Sequence, residues 1–195
     1  MEERRYAKGV RKRQEILDAA LDVIARHGYH QSTLKDIAAE VGLTNAGVLH
    51  YFESKADLFG AVLAHRDAVS AAAADRELSH DADAIDRFVA IVRSNESVPG
   101  LVQAYVAVTA EATDPEHGAR AHVVARYAHL RRALAEAARA RVAHGQFRND
   151  ADPELFADLL VAVADGAQSR WLITTDVDGA ALVESIIDAH AQRSP

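Results

Sequence analysis

At 195 residues, with 49% apolar side chains and a formal net charge of −7, the chain has material for one ordinary domain or for a small module joined to a larger one, with a sizeable core. It contains no cysteine, which excludes disulfides, thiolate catalysis and Cys-based zinc sites and agrees with a reducing compartment. No apolar run approaches the roughly 20 residues that span a bilayer, and the opening "MEERRYAKGVRKRQ" lacks the apolar stretch of a secretory signal, so the expectation is a cytoplasmic protein without membrane association.

A negative total argues against a polyanionic partner, because such binding draws its affinity from neutralised phosphates. The distribution of charge reverses that argument. Residues 1–60 carry nine Lys and Arg against nine Asp and Glu, so the whole excess lies in residues 61–195. At the very start, Arg4, Arg5, Lys8, Arg11, Lys12 and Arg13 face only Glu2 and Glu3. This basic arm is either a solvated tail or a phosphate-neutralising segment.

Helix follows helix along the chain, with no sustained alternation of period 2. In "KRQEILDAALDVIARHG", Ile16, Leu17, Ala20, Leu21, Val23 and Ile24 fall mainly on one face, and Gly28 is a natural stop. In "STLKDIAAEVG", Thr33 and Asp36 have the spacing of a capping box, Ile37, Ala38 and Val41 point inward, and Gly42 ends the helix. Thr44 caps a third helix, and Ser54 with Asp57 opens a fourth that runs through Leu58, Phe59, Val62 and Leu63.

The second and third helices carry the main functional signal. Two helices that cross steeply through a short turn need a small residue at the contact, a turn residue tolerant of positive φ, and apolar residues that fix the crossing. Ala38, Gly42, Leu43 and Val48 supply these in the order a helix-turn-helix requires, although an ordinary helical hairpin would use the same parts. In a DNA reader the second of these helices presents its N-terminal residues to the major groove. Asn45, Ala46 and Gly47 are then small so that the backbone approaches bases and phosphates, while Val48 and Phe52 anchor the helix from behind.

The stretch "TLKDIAAEVGLTNAGVLHYFESKADLF", preceded by an amphipathic helix that ends in "RHGYHQS", resembles the DNA-binding domain of the TetR family of bacterial transcriptional regulators. The resemblance covers about residues 11–60 and rests on the "T-x-x-D-I-A" pattern, the Gly42 turn and the "Y-F-x-S-K-x-x-L" exit. It implies an all-α fold in which an N-terminal three-helix helix-turn-helix domain joins a C-terminal helical bundle, with dimerisation through the last two helices. It also implies a homodimeric repressor that binds a near-palindromic double-stranded DNA operator and is released by a small-molecule effector. Carried over position by position, it makes Thr33, Lys35, Thr44, Asn45, Ala46, His50, Tyr51 and Lys55 the DNA-facing set. Chemistry divides their work: Asn45 suits a bidentate contact to adenine and Ala46 a thymine methyl, whereas Lys55, His50 and Tyr51 suit phosphates. Many relatives carry Tyr where this chain has Leu49, so the usual contact there is lost or moved to Tyr51.

The expected division is a DNA-binding domain over residues 1–54 and an effector-binding and dimerisation domain over residues 55–195. In the latter, "SAAAADRELSHDAD" suits a helix end and a loop; "AIDRFVAIVRS" is an amphipathic helix ended by "NESVPG", and "LVQAYVAVTAEA" is apolar enough to be central. A long helix runs through "RYAHLRRALAEAARARVAHG", and "DPELFADLLVAVADGAQSRWLI" and "GAALVESIIDAHAQ" close the chain with more apolar surface than one small domain hides.

A regulator's pocket is apolar with a few polar groups among the hydrophobes. Candidates are Phe88, Val92, Gln103, Tyr105, Thr109, His122, Arg126, Gln168 and Trp171, with His129 and Arg170 beside them. Each has a structural alternative: Tyr105 as a packing residue, Trp171 at a dimer interface, Arg126 in an ion pair. His27 with His30, and His117, His122 and His129, lack partnered carboxylates at ligand spacing, so neither a metal nor another cofactor is expected. The absence of G-x-S-x-G, H-E-x-x-H and a glycine-rich phosphate loop argues against an enzyme. The competing reading is an effector-independent DNA-binding protein of structural or co-regulatory role.

Overall fold

The computed structural model describes residues 2–192, with side chains from Tyr6 onward. Nine α-helices and one 3-10 turn order themselves along the described residues, with no strand beyond an isolated bridge between Phe147 and Ala191. The helices are α1 (Glu2–His27), α2 (Leu34–Glu40), α3 (Asn45–Leu49), α4 (Lys55–Glu77), α5 (Ala84–Ser94), α6 (Pro99–Glu111), α7 (Arg120–Ala143), α8 (Pro153–Thr174) and α9 (Gly179–His190). The chain forms two compact units: Met1–Asp67 with Val98–Val123, and Ala68–Ser97 with Val124–Pro195.

In the first unit the apolar faces read from the sequence close on one another. Ile16, Leu17, Ala20, Val23 and Ile24 of α1 are buried, as are Ile37 and Ala38 of α2, while Leu21 is half-buried. α1 starts at Glu2, ten residues before the apolar periodicity begins at Lys12, because Ala, Lys, Arg and Glu sustain a helix without a buried face. Arg4 and Arg5 lie outside the residues whose side chains are described. Gly28 ends α1 at φ +74°, its N–H donating to Ile24 O at 2.8 Å. The segment that α6 opens packs on this same end: a Cβ at Gly100 would lie 2.7 Å from the Ile24 carbonyl oxygen. Tyr29 donates its hydroxyl to Glu111 at 2.9 Å and meets the Phe59 ring edge-on at 5.1 Å. Burial, then the Glu111 carboxylate, push that hydroxyl well above the ordinary tyrosine range.

The second unit is organised around a larger core of Ile85, Phe88 and Val92 from α5, Leu134 and Ala138 from α7, Phe156 and Leu160 from α8 and Val183 from α9. Phe147 and Phe156 meet edge-on at 5.1 Å, a favoured aromatic geometry. Asp83 caps α5, accepting from the Ile85 and Asp86 N–H groups, and Asp86 reaches back to Asp83 N–H. Arg141 of α7 closes this cap, with Nε 2.7 Å from Asp83 Oδ2 and Nη2 2.7 Å from Asp86 Oδ1, its guanidinium 5.5 Å from the Phe147 ring centre. Burial alone would raise the Asp83 carboxyl, but the Arg141 and backbone hydrogen bonds outweigh it and hold Asp83 below the usual carboxylate range.

Candidate nucleic-acid interface

The turn between α2 and α3 is built by backbone bonds that only a particular sequence permits. Gly42 takes φ +63°; its N–H donates to Ala39 O at 3.2 Å and the Leu43 N–H to Ala38 O at 2.8 Å. This is a Schellman arrangement, in which the left-handed residue satisfies the last carbonyls of α2. Thr33 caps α2 with a full capping box: its hydroxyl accepts from Asp36 N–H, and its own N–H donates to the Asp36 carboxylate at 3.1 Å. The Thr33 hydroxyl, then its N–H, hold the Asp36 carboxyl below its ordinary range. Thr44 caps α3, accepting from Gly47 N–H at 3.1 Å.

α3 is only five residues long, and the chain leaves it as a turn in which Tyr51 N–H donates to Val48 O. Val48 and Phe52 are buried and pin this short element from behind, as the spacing predicts. Thr33, Lys35, Thr44, Asn45, Ala46, His50 and Lys55 are exposed and Tyr51 is half-buried. Leu49 is exposed. Gly47 is half-buried, and a Cβ there would meet Leu43 Cβ at 3.4 Å and Thr44 Oγ1 at 3.5 Å, ordinary contact distances. At α4, Ser54 Oγ accepts from Asp57 N–H at 3.0 Å as the capping pair requires, but the Asp57 carboxylate reaches one residue further back, to Glu53 N–H at 3.0 Å.

The described basic residues of the opening, Lys8, Arg11, Lys12 and Arg13, do different work. Lys12 donates to the Val41 carbonyl at 2.8 Å and pairs with Glu15, and the Arg13 guanidinium lies 4.7 Å over the Phe52 ring, so these two brace the reading head. Lys8 and Arg11 instead line, with Gly9, Lys12, Glu15, His50 and Tyr51, an open cleft of about 510 Å³. The Lys8, Arg11, Lys12 spacing is that of one helix face, which is the signal that marks them as a wall beside His50 and Tyr51 once α1 is extended to Glu2.

The candidate effector residues do not form one group. Val92, Gln168 and Trp171 line a cleft in the second unit with Asn95, Glu96, Ala167, Val177 and Gly179, with room of about 20 Å³, which is about one water. Phe88 is in the core of that unit, and Arg126 is half-buried. Gln103, Tyr105, Thr109 and His122 belong to the first unit: Gln103 Oε1 lies against Gly28, Tyr105 is buried, Thr109 Oγ1 is buried without a hydrogen-bond partner, and His122 lies 2.8 Å from Asp57. Among the described residues no three His, Asp or Glu side chains gather as a metal site, and no helix is long and apolar enough to cross a membrane.

A capped helix-turn-helix whose exposed side chains sit beside a basic helix face, followed by a separately cored helical unit, defines a DNA-binding regulator. The comparisons with known proteins agree. Residues 16–62 match the model of bacterial regulatory proteins of the tetR family, and residues 81–194 match the C-terminal model of BetI-type transcriptional repressors. The chain belongs to the TetR family, with a C-terminal part of BetI type, and is a transcriptional repressor. The HTH-type transcriptional repressor AcnR of Corynebacterium efficiens is 27% identical over 190 residues, covering 95% of both chains. A transcriptional regulator from Saccharomonospora viridis, solved in complex with choline, is 28% identical with a TM-score of 0.68, covering 93% of this chain and 98% of that one. A TetR-family regulator from Rhodococcus shares the fold at a TM-score of 0.72 and 22% identity over 92% of this chain and 98% of its own.

Proposed function

We propose that the protein acts in the cytoplasm as a homodimer that binds a near-palindromic operator through α3 and releases it when a small effector occupies the second unit. The functional boundary falls near residue 54: DNA is read by residues 1–54 with Lys55, and the effector is sensed by the remainder of the chain. The observation that carries the reading is the exposure of Thr44, Asn45 and Ala46 at the start of a helix anchored by buried Val48 and Phe52. Asn45 reads an adenine edge and Ala46 a thymine methyl. Lys55, at the N-terminus of α4, meets a phosphate together with that helix's first N–H groups, while Thr33, Lys35, Thr44, His50 and Tyr51 contact the backbone and fix register without specifying sequence. Leu155, Leu159, Ile173 and Leu182 of α8 and α9 are exposed, and this apolar surface is what a second copy covers, placing two α3 helices on half-sites about 34–36 Å apart.

The effector site is the cleft of Val92, Gln168 and Trp171. Its indole face and the Glu96 carboxylate suit a small organic cation, and the choline complex of the Saccharomonospora viridis relative supports choline as the first compound to try. With room for about one water, the cleft admits such a molecule only in a widened state, so the effector favours a conformation other than the free one. A ligand shifts DNA affinity only by its differential affinity for the two states, with a coupling of roughly 1–3 kcal/mol that is reciprocal. No catalysis is involved. The test is operator selection from random duplexes followed by anisotropy titration with and without saturating choline or related quaternary ammonium compounds. Weaker operator binding with ligand, undone by Trp171→Ala, is the expected result. Calorimetric binding of such a ligand that leaves operator affinity unchanged would support the effector-independent alternative.

A further inference from the structure

The start of α4 is held by a side chain from a helix with no part in reading DNA. Only the first turn of α7, Arg120 to Val123, belongs to the first unit, and there His122 Nε2 lies 2.8 Å from Asp57 Oδ1. Asp57 is already tied to the approach to α4, with its N–H on Ser54 Oγ and its other carboxylate oxygen on Glu53 N–H. One carboxylate therefore joins the loop before α4, the first turn of α4 and the first turn of α7. The contact is pressed tight by two glycines. A Cβ at Gly60 would lie 2.6 Å from His122 Cδ2 and 3.1 Å from Ala119 Cα, and one at Gly118 would lie 2.8 Å from Ser54 Oγ. A larger residue at either position would force its neighbours to move.

We propose that His122 is a positioning residue for DNA binding: through Asp57 it fixes the first turn of α4 and so the angle at which Lys55 and the helix's N-terminal N–H groups meet a backbone phosphate. The proposal rests on the assignment of Lys55 to a phosphate. Lys55 lies two residues before Asp57, with its Nζ 5.2 Å over the Phe59 ring of the same helix, so where its ammonium is presented depends on where the turn is held.

A double-mutant cycle on random-sequence duplex DNA tests this, because a phosphate contact contributes on every sequence. In the wild type, Lys55→Ala is expected to weaken binding about fivefold and to flatten the salt slope by about one. In the His122→Leu background the same change should weaken binding less than about twofold and leave the slope nearly unaltered, since Lys55 is already misplaced. His122→Gln, whose amide nitrogen falls where Nε2 lies, should restore the full effect. If circular dichroism finds His122→Leu unfolded, His122→Phe, which keeps a ring against Gly60 but has no N–H to give Asp57, serves as the background, with the same loss of the Lys55 effect expected. Equal costs of Lys55→Ala in the two backgrounds would reduce His122 to a packing residue and overturn the proposal. A Lys55→Ala change without cost in the wild type would instead remove the phosphate assignment, and the proposal with it.

Discussion

The two units place function in opposite relation to their cores. In the first, the side chains proposed to meet DNA are exposed, apart from half-buried Tyr51, while the buried residues behind them, Ile37, Val48 and Phe52, hold the shape. In the second, Val92 is both a core residue and a wall of the candidate cleft, and Ala167 beside it is buried. A DNA reader can therefore change its specificity by surface substitutions at little cost in stability, whereas an effector site made from core residues cannot be altered without moving the helices that define it. That difference fits a division in which one unit must be rigid and legible and the other must have two arrangements close in energy.

The sharpest way to break the comparison is to remove the proposed dimer. Leu159→Glu puts a charge on the apolar surface of α8. Light scattering should then report monomers, and operator affinity should fall about 10²- to 10⁴-fold as the second half-site is lost; a wild type that is itself monomeric at micromolar concentration would contradict the arrangement. Phe156→Ala acts next. It empties a fully buried site against Phe147 and His190, and urea denaturation should register a loss of about 3–5 kcal/mol.

Arg141→Leu should cost about 1.5–3 kcal/mol at neutral pH, by stripping charged hydrogen bonds from the α5 cap. Because the folded state depresses the Asp83 carboxyl, that stabilisation is present above the unfolded value near 3.9 and is lost as pH falls through the lower folded value. The stability gap between variant and wild type should close in acid below about pH 4, and a gap independent of pH would assign the loss to packing on Phe147. The smallest effect on the fold belongs to the reading surface. Asn45→Ala should leave stability within about 0.5 kcal/mol and cost about 1–3 kcal/mol of binding at the correct operator alone; an unaltered selected motif would remove Asn45 from base reading.

Particular residues tell how far the sequence could be read. Thr33, Gly42, Thr44, Val48 and Phe52 act where their spacing says, because caps, turns and anchors are decided by neighbours within about one or two helical turns. The same locality made Lys8 and Arg11 visible as charge but not as a cleft wall, since that needs His50 and Tyr51 brought alongside from some 40 residues away in the chain. Arg141 and His122 gave no local signal. Each completes a cap on a helix 58 or 65 residues before it, a partnership that helical periodicity cannot express. The nine candidate effector residues combine apolar and polar side chains of the apolar helices, a pattern blind to which unit a helix joins, and α6 belongs to the first unit.

What the sequence determined by itself was the kind of each element and the kind of protein: helices from apolar periods, their ends from Thr33, Gly28, Gly42 and Thr44, and a DNA reader from small polar residues at the start of a helix anchored from behind. These arise from interactions whose range is a few residues, so the order of side chains contains them. What only the tertiary structure decided was which helix end meets which. The closure of α4 by His122, the bracing of α5 by Arg141 and the grouping of Val92, Gln168 and Trp171 around one cleft depend on close packing between distant segments, where fit within a few tenths of an ångström at Gly60 or Gly100 selects one arrangement from many with the same pattern of apolar and polar residues.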